Sequence, residues 1–250
     1  MSKDTNDFIQ QLKKYNEENY TKDLYIPSLE RTVKFYTLTA KHQKDIIHAT
    51  LDNPILNLIF HEKVYNIIKE LCSESQFVDS FTVLDKDAIL IKLRYYYVSK
   101  KYEDVDMAPV ISFIKKMKLD LSPKIEEDDG IRIQFQIPSI LQERNILKQY
   151  SKGKNISIST SDQDEIRKLV SDAYILEIIK YVNKVQLISN EAVVDFTKHN
   201  YNDNVKIVDL FGKCVCDKVH NFINTTKTKY KKLYQVGDDV EIVINSSLFG

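Results

Sequence analysis

Tryptophan is absent from the 250 residues, and glycine, proline and cysteine are scarce at five, five and three. The glycines, Gly130, Gly153, Gly212, Gly237 and Gly250, lie too far apart to build G-x-G-x-x-G or a Walker loop, which excludes the common phosphate cradles. Cys72, Cys214 and Cys216 form an odd set whose last two members are too close for an ordinary disulfide framework, so reduced thiols are expected. Lysine plus arginine and aspartate plus glutamate balance at 36 each, so the chain has no net positive charge with which to hold a polyanion. No run approaches the roughly 18 consecutive apolar residues of a membrane span. The longest candidate, Ile55 to Ile68, is broken by Asn57, His61, Glu62, Lys63 and Asn66. Met1 to Tyr15 is polar and lacks the apolar stretch of a signal peptide, so export is not expected. The sequons at Asn19, Asn155, Asn224 and Asn245 accordingly read as plain composition.

What the chain has is a hydrophobic fraction of 43% with 15 Tyr and 11 Phe, enough for a packed interior. The pattern predicts an α+β fold, mainly helical with two or three β-hairpins. Residues 1–22 read as a polar N-terminal arm with at most a short amphipathic helix at Phe8, Ile9 and Leu12. Residues 23–150 read as an α+β N-terminal domain, and 160–250 as a helical C-terminal domain ending in a hairpin. Within the first, Leu24 to Leu38 is a strand or small hairpin, and Thr39 caps a helix with Gln43 or a neighbour completing the box. Asp52-Asn53-Pro54 breaks that helix, and helical spacing resumes from Ile55 to Cys72. Asp85 is the expected N-cap of a helix from Lys86 to Ser99, apolar on nearly every side and therefore central to the core. A short helix is expected over Met107 to Met117. Strands at Lys118 to Ile125 and Ile131 to Ile137 are joined by an acidic turn, Glu126 to Asp129, that ends in Gly130. A helix then runs from Ser139 to Tyr150.

Ser151 to Ser161 reads as a hinge or exposed loop, and Ser161 or Asp162 caps the helix that follows. Helices are expected at Glu165 to Asn183, Asn190 to Lys198 and Val205 to Thr225. A closing hairpin pairs Lys231 to Val236 with Val240 to Asn245 around Gly237-Asp238-Asp239.

Reactive groups do not converge in this pattern. Cys214-x-Cys216 with His220 is the nearest approach to a metal set, but the two thiols point to different helix faces and no fourth ligand accompanies them. His42 and His48 are six residues apart, and His61 and His199 stand alone, so no H-x-x-x-H zinc pair exists. The acidic run Glu126 to Asp129 lacks calcium-loop spacing. No catalytic, metal or cofactor-binding residue is expected, and the chain reads as a non-enzyme. Lys227, Lys229, Lys231 and Lys232 interleave with Tyr230 and Tyr234, as at a nucleic-acid-binding edge. The same segment serves as a charged edge that resists aggregation, which is the favoured reading. Tyr95, Tyr96 and Tyr97 are candidate interface anchors, each a rigid ring ending in a hydroxyl, with core packing of at least one or two of them the favoured reading.

Three stretches together resemble the baseplate hub assembly proteins of T4-like contractile-tailed phages. They are Ile26-Pro27-Ser28 through Thr32-Val33-Lys34-Phe35 to Leu38-Thr39-x-Lys41-x-Gln43-Lys44, then Phe81-x3-Asp85-x3-Ile89-Leu90-x-Lys92-Leu93-Arg94, then Val240-x-Ile242-x-Ile244 leading to Leu248-Phe249. Their order spans most of the chain. The resemblance implies a non-enzymatic assembly factor or retained subunit of the baseplate hub. Its expected partners are hub or tape-measure proteins, and its expected place is the host cytoplasm during assembly and the virion tail baseplate. The alternative is a nucleic-acid-associated protein using 227–234. Arg94, Tyr96, Lys229, Tyr230, Leu248 and Phe249 are the expected partner contacts.

Overall fold

A computed structural model describes residues 3–49, 57–128, 130–152 and 163–249. The break expected at Asp52-Asn53-Pro54, the cap at Ser161 or Asp162 and, beyond Lys152, the loop expected at Ser151 to Ser161 lie outside these residues, while Ser151 itself ends a helix. The chain is α+β and mainly helical, with its strands in small antiparallel sheets.

Helix α1 covers Lys3–Asn19, a longer element than the arm with a helical turn expected there. Strands β1 (Lys22–Ile26) and β2 (Arg31–Phe35) form the first hairpin, whose buried positions Leu24, Ile26, Val33 and Phe35 alternate with exposed ones as half-buried strands require. Helix α2 (Ala40–His48) starts at Thr39, with the Nδ1 atom of His42 closing the capping box by accepting from the Thr39 N–H at 3.1 Å. Helix α3 covers Leu58–Leu71.

The central helix α4 covers Val83–Tyr97, and ten of its side chains from Val83 to Leu93 are buried. Its N-cap is Thr82, and the expected cap, Asp85, sits three residues further on. Asp85 Oδ2 accepts from the Thr82 N–H at 2.7 Å, while the Thr82 hydroxyl accepts from the Asp85 N–H at 3.1 Å. Strands β3 (Lys101–Tyr102) and β4 (Val105–Asp106) make a minimal hairpin, and α5 (Ala108–Ile114) follows.

Strand β5 (Lys124–Asp128) pairs with β6 (Ile131–Phe135). Glu126, Glu127 and Asp128 therefore lie in the strand and not in the turn. Gly130 takes the positive φ, 79°, that favours glycine. Helix α6 (Ile140–Ser151) is capped by Ser139, whose hydroxyl accepts from Gln142 N–H at 3.1 Å. Helix α7 (Gln163–Tyr181) runs directly into β7 (Val182–Leu187), which pairs with β6 and with β8 (Val193–Asp195). The result is a four-stranded sheet in the order β5-β6-β7-β8. The helix expected at Asn190 to Lys198 is replaced by this strand. The helix expected from Val205 to Thr225 is two, α8 (Tyr201–Val208) and α9 (Lys213–Lys229), divided before Gly212. The closing pair, β9 (Gln235–Val236) and β10 (Val240–Glu241), is shorter than expected, because Lys231–Leu233 forms a 3-10 turn.

Two apolar cores result. The first draws on residues from Leu24 to Ile140 and again from Tyr230 to Phe249, and the second on residues from Ile133 to Ile223. A boundary near 150–160 does not separate them, because β6 pairs with β7 across it and the chain's last segment returns to the first core. Helix α6 serves both, giving Ile140 to the first and Ile146, Leu147 and Tyr150 to the second.

Candidate functional site

The residues expected to meet a partner divide by burial. Leu248 and Phe249 are enclosed in the first core with Tyr230, so as folded these three present almost no surface, which corrects the expectation. The Tyr230 hydroxyl accepts from the Asp120 N–H at 3.1 Å. Lys229 is exposed and pairs with Asp120 at 3.6 Å. Arg94 lies half-buried over the Tyr102 ring, 5.2 Å from its centroid, with its Nε atom buried and unpartnered among the described residues. Tyr96 meets Tyr95 edge-on at 5.2 Å and carries Lys22 over its face at 5.7 Å.

The lysine and tyrosine segment is not a row of free cations. Lys227 pairs with Glu177 at 3.4 Å, Lys229 with Asp120, and the Tyr234 hydroxyl donates to Asp87 Oδ2 at 2.7 Å, which leaves Lys231 and Lys232 as its exposed charges without a carboxylate partner among the described residues. The His220 Nδ1–H donates to the Cys216 carbonyl at 2.8 Å and its ring stacks on Tyr174 at 4.7 Å, so the Cys214, Cys216 and His220 set does not converge. Among the described residues no three His, Cys, Asp or Glu side chains gather as a metal would need. The acidic strand is likewise committed to salt bridges, Glu126 to Lys124 and Glu127 to Arg132.

The convergence that sequence reasoning missed lies between the two cores. The chain segments at the starts of α4 and α6 run side by side: Thr82 and Ser139 form a β-bridge, Val83 N–H donates to Pro138 O at 3.0 Å, and Ile140 N–H donates to Phe81 O at 2.7 Å. One turn along each helix this register places Lys86 against Glu143, 2.5 Å apart and both buried. Glu143 also receives His61 of α3 at 3.3 Å and Lys180 of α7 at 3.5 Å. Lys180 in turn pairs with Glu177 at 2.7 Å. Beside this cluster, Arg144 holds Glu62 with two bonds of 2.7 and 2.8 Å and lies over the Tyr65 ring.

A cavity of about 180 Å³ opens beside the cluster, lined by Lys86, Asp87, Glu143, Lys180, Tyr181 and Thr226 among others. Burial pushes the Glu143 carboxyl up, but the facing His61, Lys86 and Lys180 outweigh it and hold the group well below the usual carboxylate range. Burial disfavours the charged form of Lys180, but Glu177 and Glu143 together raise its affinity for the proton. Tyr181 and Tyr234 are raised, chiefly by burial. Asp87 is also raised by burial, against the pull of Lys86.

A second feature lies on the outside. Phe8, Leu12 and Tyr15 recur at helical spacing along α1 and are 64, 47 and 52% exposed. Leu187, Ile188 and Val193 are exposed together at the tip of the β7–β8 hairpin. No helix among the described residues is long and apolar enough to cross a membrane. No protein-family model, curated protein or solved structure matches the chain.

Proposed function

We propose that this chain is a non-enzymatic assembly factor or structural subunit that works by binding other proteins, in the baseplate hub of a contractile-tailed phage. The observation that carries the contact role is the apolar stripe Phe8, Leu12 and Tyr15, which α1 holds in solvent. A contiguous apolar surface of this kind is stabilised when a partner covers it. A lipid surface is the poorer fit, since α1 mixes Asp4, Asp7, Glu17 and Glu18 with Lys3, Lys13 and Lys14, whereas helices that lie on membranes concentrate basic residues. The choice of a phage hub rests on the ordered resemblance of the three motifs and on no other observation.

The interior cluster supports the non-enzymatic reading. A general acid or base works best with its titration near the operating pH. Glu143, Glu177 and Lys180 are instead moved away from neutrality, each held in its charged form by its neighbours. Asp87 moves the other way but is occupied by the Tyr234 hydroxyl. Polyanion binding through 227–234 is the weaker reading, because Lys227 and Lys229 already face carboxylates.

Co-expression with the hub and tape-measure proteins of a contractile-tailed phage, followed by affinity capture, tests the proposal. A stable complex with a hub component that is lost in a Phe8→Ser, Leu12→Ser double variant is the expected result. Capture of none of these components, with the chain folded, overturns it.

A further inference from the structure

We infer that Arg94 and two exposed valines beside it, Val98 and Val243, form a contact for a protein segment that offers an aspartate or glutamate carboxylate next to an apolar side chain. The contact is separate from the α1 stripe and does not depend on the phage reading.

An unpaired guanidinium carries the argument. Arg31, Arg132, Arg144 and Arg167 each hold a carboxylate, at 2.5 to 3.1 Å. Arg94 is half-buried and holds none among the described residues. Its Nε atom is enclosed with no acceptor, and its one hydrogen bond is a long one, 3.5 Å from Nη1 to the Ser99 carbonyl oxygen. Stacking over the Tyr102 ring fixes the plane of the group but satisfies none of its N–H donors. Burial lowers the Arg94 titration, opposed by the Tyr102 hydroxyl and by no carboxylate. A guanidinium carries five donors in a flat fork that matches the two oxygens of a carboxylate, and a charge partly removed from water is costly to leave without a counterion. A partner that brings the carboxylate supplies what the fold does not.

The surroundings set the rest of the partner. Val98 lies one turn beyond Arg94 on the same face of α4 and is 38% exposed. Val243 is 51% exposed, and its N–H donates to the Tyr102 hydroxyl at 3.3 Å, which seats it beside the ring that carries Arg94. An apolar side chain of the partner covers these valines while its carboxylate meets the open Nη edge. Interfaces concentrate their energy in arginines held this way, with their plane fixed and apolar contacts around them. A nucleic-acid backbone is the poorer fit. Phosphates are held by runs of cations, whereas the adjoining β3–β4 hairpin sets Glu103, Asp104 and Asp106 against Lys100 and Lys101.

The test is selection of a random peptide display library on the immobilised full chain, followed by affinity measurements of the enriched peptides on the wild type, Arg94→Met and Arg94→Lys. The expected result is enrichment of peptides that carry Asp or Glu beside an apolar residue. Their affinity is expected to fall at least about tenfold in Arg94→Met, which keeps the apolar stem, and by less in Arg94→Lys, which keeps the charge without the flat fork. The Phe8→Ser, Leu12→Ser variant is expected to bind them as the wild type does, which separates this contact from α1. Circular dichroism checks that the variants fold. The side-chain N–H resonance of Arg94 Nε, followed in the wild-type chain, is expected to shift when a selected peptide is added, and this readout needs no variant. The inference is overturned if the library yields no binder or binders without a preference for a carboxylate. It is equally overturned if the acidic binders keep their affinity for folded Arg94→Met, lose it in the α1 variant, or leave the Arg94 resonance unmoved. Binding of a random single-stranded oligonucleotide that depends on Arg94, with no acidic peptide selected, would assign the residue to phosphate instead.

Discussion

Lys92 donates from Nζ to the carbonyl oxygen of Tyr25 at 2.7 Å while only 1% exposed, which makes a lysine part of the packed face between α4 and the first hairpin. Two turns earlier on the same helix, Asp85 Oδ1 accepts from the Ser28 N–H at 2.9 Å in the turn of that hairpin. The central helix therefore grips the hairpin at its strand and at its turn. These two side chains belong to motifs that carry the family resemblance, so in this chain those motifs have a structural role inside the core.

The Lys92 contact predicts a pH dependence. Burial, helped by the nearby charge of Lys115 and opposed by Asp85, lowers its titration from 10.5 to about 7. Between these values the unfolded chain binds the proton and the folded chain does not. Stability assignable to Lys92 is therefore fully present above pH 10.5 and is lost as pH falls toward 7, at up to about 1.4 kcal/mol per pH unit. Urea titrations of the wild type and of Lys92→Met from about pH 5 to 10 check this. Their difference is expected to change across that window and to level off below it.

Glu143 is the keystone between the cores. Removing its charge with Glu143→Gln leaves Lys86 and Lys180 buried without their shared counterion, at an expected cost of about 3–5 kcal/mol. Its folded titration lies below 4.5, so its contribution is present above that pH and disappears as pH falls through the lowered value. The double change Glu143→Leu with Lys86→Met is expected to cost less than the sum of its parts. Chemical denaturation at pH 7, and in steps from pH 5 down to about pH 2, measures both effects.

The closing segment is a core element. Phe249→Ala is expected to destabilise by about 3–5 kcal/mol and Leu248→Ala by about 2–5, because each leaves a cavity in the first core. Denaturant midpoints check the values. An effect on partner binding without loss of stability would contradict the placement.

Much of the fold was legible because local signals were strong. Thr39 and Ser139 stand where side-chain caps belong, and Gly130 marks the β5–β6 turn with a positive φ. The errors occur where local and tertiary signals part. No glycine or proline divides α7 from β7, so the helical spacing that ends on Val182 predicts helix as far as Asn183, two residues into the strand, and gives no signal for the rest of it. Leu210 and Phe211 likewise continue a helical pattern through the break between α8 and α9, although Leu210 is 84% exposed. The ion cluster had one signal in the sequence. A helix apolar on nearly all sides that also carries Asp85, Lys86 and Lys92 must bury them, and buried charges need partners. Which partners they find depends on the Thr82–Ser139 bridge, a contact between distant segments that no local pattern encodes.

Because Phe8 and Leu12 are exposed, the Phe8→Ser, Leu12→Ser variant is expected to keep its stability within about 0.5 kcal/mol. Loss of partner capture in that variant is then a loss of contact surface and not of folding, and thermal unfolding of the two proteins side by side establishes which it is.

Hydrogen exchange over α1, with and without the hub components of a contractile-tailed phage, tests the contact role most directly. The account predicts rapid exchange of residues 5–18 in the isolated chain and strong protection when the binding component is added. Unchanged exchange across α1 in a complex that demonstrably forms would contradict it.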